Sequence, residues 1–395
     1  MKSDNKKNED EENILLFQGG GSLGAYECGV SKTLAKHKVW FDIIGGTSIG
    51  AVNAAVLVSN IINHQKAKTD NNNTYNNGNS IEYASKILEQ FWYEMENTVI
   101  PQFIAEFFPF KSRNYLAALY FTIYGHPKAF LPVWYYPQNL PNLVTFNLPY
   151  LYDSSIFKNI LNKYIIFENL KKQTKEIQQK GRLPRLILST TNIKTAKPVS
   201  FDTNQSDITI DHVRACVGYP FYNISWSEIN GNYLWDGSLI RNDPLKLVLE
   251  LSPYVPKKIY ICDVYSNRFP SLPKNIFESW HRARDIVFID KLFIGKSQSD
   301  QVKKYRDRLE DLYDIVTNSK LSGDMSKKFS KIKSECDELI KRRGIIIKDL
   351  IHIVRKEKPS SLFEDADFSL STIKEYIEKG EKDADIALLS HPVNS

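Results

Sequence analysis

"VWFDIIGGTSIGAVNAA", residues Val39–Ala55, decides the fold. An apolar run ends at a pair of glycines, and an alanine-rich helical pattern follows at once. Strand, tight turn and helix in that order make half of a βαβ unit. Inside it, Gly46-Thr47-Ser48-Ile49-Gly50 is G-x-S-x-G, the strained corner that exposes a nucleophilic serine. A side chain two residues before or after that serine would collide with neighbouring backbone, so glycine stands at both places. The hydroxyl then sits at a helix N-terminus, whose dipole favours nearby negative charge.

The segment upstream repeats the pattern. "ILLFQGGGSLGAYECG" (Ile14–Gly29) reads as a buried strand, a glycine turn and a helix over Gly24–His37. Two such units in succession predict an α/β fold with a parallel sheet. Gly19, Gly21 and Gly24 fit G-x-G-x-x-G, the spacing of a dinucleotide loop. The acid of such a site follows the second strand, whereas Asp42 precedes Ile43 and Ile44. The serine turn gives the glycines another use. Backbone amides gathered at a helix start can meet the oxyanion of a tetrahedral intermediate.

A serine needs a base. Of the seven histidines, only His281, His352 and His391 follow the acid in hydrolase chain order, and none has a supporting local context. His212 and His281 fall in helical patterns and read as structural or surface residues. Asp236, in "YLWDGSLIRNDP", ends an apolar strand and precedes Gly237. Most Asp-Gly pairs are ordinary turns, but a carboxylate here can point into a site and act as a base if burial raises its pKa. Its rival, Asp243, precedes Pro244 at a helix start, which is N-cap chemistry.

Composition narrows the classes. The chain has 395 residues, more than one typical domain of ~150 residues. Its charge is +6, from 52 basic against 46 acidic residues, too mild for a nucleic-acid footprint but tolerant of an anionic membrane surface. Cys28, Cys216, Cys262 and Cys336 show no zinc spacing and read as buried thiols of a reducing compartment. No apolar run reaches the ~18 residues of a membrane span, and residues 1–13 read as a disordered polar tail without a signal peptide. The expectation is a cytoplasmic protein, peripheral to a membrane at most; export without an N-terminal signal stays open. No oxygen-ligand cluster has calcium-loop spacing, so no metal or other cofactor is expected.

Along the chain, residues 64–80 form an Asn-rich tract read as a surface loop, with helix resuming at Ile81–Asn97. Residues 98–152 are crowded with aromatics, and their prolines rule out one long helix. They read either as core with broken helices or as a cap lining an apolar site or touching a bilayer. Leu183–Asn192, Ala196–Asp202, a segment ending near Trp235 and "KKIYICDVYS" read as strands, with short helices at Ile210–Cys216 and from Pro244. Beyond Asn275 charged helix dominates, interrupted by a β-like "DLIHIVR" (Asp349–Arg355).

Three motifs together resemble the patatin-like phospholipases: Gly19-Gly20-Gly21-Ser22-Leu23-Gly24, Gly46-Thr47-Ser48-Ile49-Gly50 and Asp236-Gly237-Ser238. The resemblance covers roughly Ile14–Val264. It implies a three-layer α/β/α catalytic domain over 14–270 with a central mostly parallel sheet, and a mainly helical region, 271–395, packed on it. It implies Ser48 as nucleophile, Asp236 as base in a dyad without histidine, and Gly19, Gly20, Gly21 and Gly24 as the oxyanion hole. The sequence departs from the family at Leu23, where many members carry Arg or Lys, and at Ser238, where Gly or Ala is usual. The implied activity is fatty-acid release from phospholipid or another lipid ester, of phospholipase A or lysophospholipase type. Acyl transfer through the same acyl-enzyme and a catalytically silent lipid-binding role are the alternatives. Phe107, Phe108, Phe110, Trp134, Tyr135 and Tyr136 are the candidate cap or membrane-facing residues. Lys341, Arg342 and Arg343 could add attraction to anionic lipid, although alternation with acids suits a solvated helix face.

Overall fold

The computed structural model describes residues 11–69, 77–97, 120–172 without 122, 145 and 146, 183–240, 244–265 without 252–254, 323–343, 347–355 and 364–390, with isolated positions between. Phe107, Phe108, Phe110, Asp243, His281 and His391 lie outside them, as do residues 1–10 of the expected tail.

The chain opens as the sequence predicts. Strand β1 (Glu12–Phe17) leads through the glycine turn into helix α1 (Gly24–Lys36), and β2 (Ile43–Thr47) leads into α2 (Ile49–Thr69). β1 starts at Glu12, so two residues assigned to the tail are sheet; Lys257, fully buried on the neighbouring strand, donates to Glu12 Oε2 at 2.6 Å. β1 buries both faces. Leu15 and Phe17 point into one core, Ile14 and Leu16 into the other, as the two-residue period of a strand between two helical layers requires. Truncating Phe17 to alanine removes about 3–5 kcal/mol.

The expected Asn-rich loop is shorter than its composition suggests. α2 runs on to Thr69 and α3 (Asn77–Glu94) begins within the tract. His64 Nδ1 meets Ser80 Oγ at 3.0 Å, tying the two helices where a loop was expected. After a small antiparallel pair, β3 (Leu131–Pro132) with β4 (Tyr152–Asp153), come α4 (Phe157–Tyr164), the long β5 (Arg185–Asn192) and β6 (Lys197–Asp202). There follow α5 (Ile210–Ala215), β7 (Ser227–Ile229), β8 (Asn232–Asp236), α6 (Leu245–Leu251) and β9 (Lys257–Asp263). The last elements are α7 (Asp324–Arg343), β10 (Ile347–Val354) and α8 (Leu370–Ser390).

The main sheet runs β10-β9-β1-β2-β5-β8-β7, with β6 also on β5. Its first five strands are parallel, and β6, β7 and β8 join antiparallel. α1, α2, α3 and α8 contribute to the larger core on one face; α6 packs on the other through Leu245 and Val248. This is an α/β/α fold with a mostly parallel sheet and C-terminal helices. β10, the expected β-like piece, extends the sheet itself, and α8 lies against α1 so closely that the Ile377 carbonyl oxygen stands 1.9 Å from where a Cβ on Gly29 would be. Among the described residues, no helix is long and apolar enough to cross a membrane.

Candidate active site

Ser48 follows β2 and precedes α2 with φ 55°, a left-handed conformation that costs a non-glycine residue about 1–2 kcal/mol. The turn leaves no choice at the flanking positions. A Cβ on Gly46 would lie 2.2 Å from the Gly50 carbonyl oxygen, and one on Gly50 would lie 2.5 Å from the Gln18 carbonyl oxygen. The second contact seats the serine turn against the residue that opens the glycine loop.

β5 joins Ser48 to Asp236. β2 runs along one edge of β5 until Thr47 pairs with Ser189. β8 arrives antiparallel and ends with Asp236 opposite Thr190. β6 covers the other edge from Ile187 to Asn192, across the point where β2 stops and β8 begins, so β2 and β8 meet end to end on the same edge. The carboxylate therefore comes up beside the serine.

Asp236 is fully buried. Its Oδ1 accepts the Ser238 N–H at 2.9 Å, and Oδ2 closes no hydrogen bond of ordinary geometry. Burial pushes the carboxyl up to about 6, opposed first by the nearby Ser48 hydroxyl and then by Ser238. A carboxylate with that value is ionised at neutral pH yet basic enough to take a proton in a transition state.

Gly19, Gly20 and Gly21 line the same cavity as Ser48 and Ser238. Gly21 has φ 55°, and the Asp365 carbonyl oxygen lies 2.2 Å from where its Cβ would be. Gly24 stands outside the lining: it opens α1, where Trp92 and Ile49 close against it. The motif's spacing places it one short helical turn beyond Gly21, at the first residue of α1 and behind the cavity wall. Asp42 lies at the amino end of β2, its carboxylate accepting the Asn13 N–H at 2.9 Å. It is at the wrong end of the sheet for a nucleotide ribose.

The cavity, of about 210 Å3, is apolar. Part of the aromatic-rich segment lines it, through Phe121, Phe130 and Tyr152, and the chain after β5 adds Tyr219 and Phe221. Tyr135 and Tyr136 are exposed instead. The C-terminal region supplies Asp365, Ala366 and Phe368, which nothing in the sequence marked.

A second feature escaped the sequence. Glu27 of α1 is completely buried. Oε1 accepts the Gln18 N–H at 2.8 Å, and Oε2 accepts from Asn53 Nδ2 of α2 at 2.8 Å. Asn53 also donates to the Gly24 carbonyl at 3.0 Å and accepts from Trp92 Nε1 at 3.1 Å. Burial holds the Glu27 carboxyl well above the usual range. The network ties the glycine loop to the helix after Ser48, and its signal was an acidic residue on the buried side of a helical pattern.

Two of the described histidines, His212 and His352, stand away from this site. His352 pairs with Asp263 across β9 and β10 at 2.9 Å, and His212 caps its own short helix through Thr209. Neither lines the cavity. Cys28, Cys216 and Cys262 are buried free thiols.

The sequence profile described as patatin-like phospholipase matches residues 15–249. A 43-residue stretch is 54% identical to the triacylglycerol lipase SDP1L of Arabidopsis thaliana, spanning 11% of this chain and 5% of that protein. The crystal structure of VipD from Legionella pneumophila aligns with 97% of this chain and 67% of its own, at 13% identity and a TM-score of 0.35.

Proposed function

The chain belongs to the patatin-like phospholipase family, and from that premise we propose that it hydrolyses lipid acyl esters through Ser48 and Asp236. The observation that carries the proposal is the end-to-end meeting of β2 and β8 on β5, which sets a strained serine beside a buried carboxylate.

Asp236 accepts the Ser48 proton as the serine oxygen attacks the ester carbonyl. The developing oxyanion is received by amides of Gly19, Gly20 and Gly21, each donor contributing on the order of 3 kcal/mol. Collapse expels the alcohol, which takes the proton back from Asp236, and leaves an acyl-enzyme. Water then attacks the acyl carbonyl and gives a proton to Asp236, which passes it to the Ser48 oxygen as the fatty acid leaves. The apolar lining suits an acyl chain and excludes bulk water from the charged intermediates. Cleavage of this kind is phospholipase A or lysophospholipase action when the alcohol is a glycerophosphate.

The test uses a fluorophosphonate probe and a mixed lipid extract. Labelling at Ser48 with fatty-acid release is expected, both lost in Ser48→Ala. Fatty-acid release that survives Ser48→Ala overturns the proposal. Loss of free fatty acid in favour of a new ester when glycerol is added would identify acyl transfer.

A further inference from the structure

The cavity beside Ser48 has a wall that comes from far along the chain. Phe368 lies just before α8, beyond the family-matched residues, and its ring lines the cavity. We infer that Phe368 is a specificity-determining residue that closes the acyl-binding cavity and sets the length of acyl chain accepted. The inference rests on the Ser48 hydrolase reading and names the substrate class within it: esters of short to medium-chain acids.

Three observations carry it. The first is the hold on the ring. Phe368 stacks nearly parallel on Trp92 at 6.5 Å and meets His126 and Phe121 edge-on at 4.7 and 5.7 Å. Its carbonyl accepts the Asn97 N–H at 3.1 Å, and the buried Asp367 beside it accepts from Thr372 Oγ1 at 2.8 Å and the Ser369 N–H at 2.9 Å. A ring held from several sides is a fixed stop, because repacking it moves a whole aromatic cluster.

The second is position. Trp92, on which Phe368 stacks, touches the place of a Cβ on Gly24, and so does Ile49, the residue after Ser48. The ring stacked on Trp92 is therefore tied through that packing to the start of α2, so the wall cannot move independently of the serine turn.

The third is size. An apolar cavity of ~150 Å3 takes a benzene ring, so one of this volume takes on the order of eight carbons. Each methylene beyond the stop must displace packed aromatic rings, and one that fits badly costs about tenfold or more in kcat/KM.

The test is a series of p-nitrophenyl esters from four to sixteen carbons in nonionic detergent, with wild type, Phe368→Ala, Phe368→Leu and Phe368→Trp. The wild type is expected to peak near eight carbons. Phe368→Ala should raise the twelve-to-eight-carbon ratio of kcat/KM at least about tenfold, Phe368→Leu less, and Phe368→Trp should move the peak to shorter chains. If the alanine variant fails to fold, the leucine and tryptophan variants still shift the profile in opposite directions. Ser48-dependent hydrolysis with one profile in all variants overturns the inference and leaves the hydrolase reading intact. Hydrolysis that persists in Ser48→Ala overturns that reading, and the inference with it.

Discussion

Asp236 and Ser48 occupy the two sides of a single joint in the sheet, where β8 ends opposite Thr190 and β2 ends opposite the adjacent Ser189. Neither strand continues past the other, so both chain ends turn out of the sheet at one place. The sheet register fixes the geometry of the pair before any loop does. A residue inserted in β5 between Ser189 and Thr190 would therefore separate the pair while leaving both motifs intact.

The pH dependence of turnover follows from burial of the carboxylate. Asp236 acts as a base only when ionised, and its pKa is pushed up to about 6. Turnover should be level above that value and fall about tenfold per unit well below it. A kcat/KM profile with one soluble ester measures this, and a level profile down to pH 4.5 would exclude Asp236 as the base.

The same burial costs stability, and the sign is definite. The folded-state pKa lies above the unfolded value of 3.8, so the folded chain holds this proton more tightly. The contribution to stability is complete below pH 3.8 and is lost as pH rises through about 6. Asp236→Asn removes the desolvated charge and should be more stable than wild type at pH 8, by about 2–3 kcal/mol. Below pH 4 the difference should vanish. Urea denaturation at both pH values checks it; equal stabilities at pH 8 would show that the charge is better solvated than its burial implies.

What could be read from the sequence was whatever a local turn requires. Ser48 and Asp236 stand at strand ends beside obligatory glycines, and such turns leave fixed spacings. Gly24 belongs to the same spacing yet serves helix packing, because a pattern of glycines does not say which amides face a cavity. The wall formed by Asp365, Ala366 and Phe368 left no local mark. It depends on β10 joining the sheet edge on β9 and on α8 lying over α1, contacts between segments far apart in the chain. Glu27 stands on the buried side of a helical pattern, but the pattern does not name the Gln18 N–H and Asn53 amide that let a carboxylate stay there.

Glu27 provides a test of the second kind. Replacing it with leucine leaves the Gln18 N–H and Asn53 Nδ2 without their acceptor in a fully buried place. A loss of about 2 kcal/mol or more is expected in chemical denaturation. Because Gln18 precedes the glycine loop, kcat should fall further than KM rises. A variant as active as wild type, at any stability, would show that the loop keeps its shape without this tie.

The glycine loop also depends on the C-terminal region, and two neighbouring substitutions separate that dependence from general crowding. A Cβ on Gly20 would meet Val264 Cγ2 at 2.9 Å, the end of a side chain that can turn aside. A Cβ on Gly21 would meet the Asp365 backbone carbonyl at 2.2 Å, in a residue whose φ of 55° already disfavours any side chain. That carbonyl cannot retreat freely: Tyr222 OH donates to Asp365 Oδ2 at 2.8 Å, and Ser22 Oγ donates to the Glu364 carbonyl at 2.8 Å. Gly21→Ala must therefore shift either the loop or the Asp365–Ala366 segment, and both line the cavity. Gly20→Ala should keep measurable turnover, while Gly21→Ala should lose on the order of 10²-fold or more, the effect of a misplaced oxyanion donor. Both variants should retain wild-type far-UV circular dichroism. Equal losses in the two would mean that the Asp365 carbonyl does not set the loop, and that crowding within the loop accounts for both.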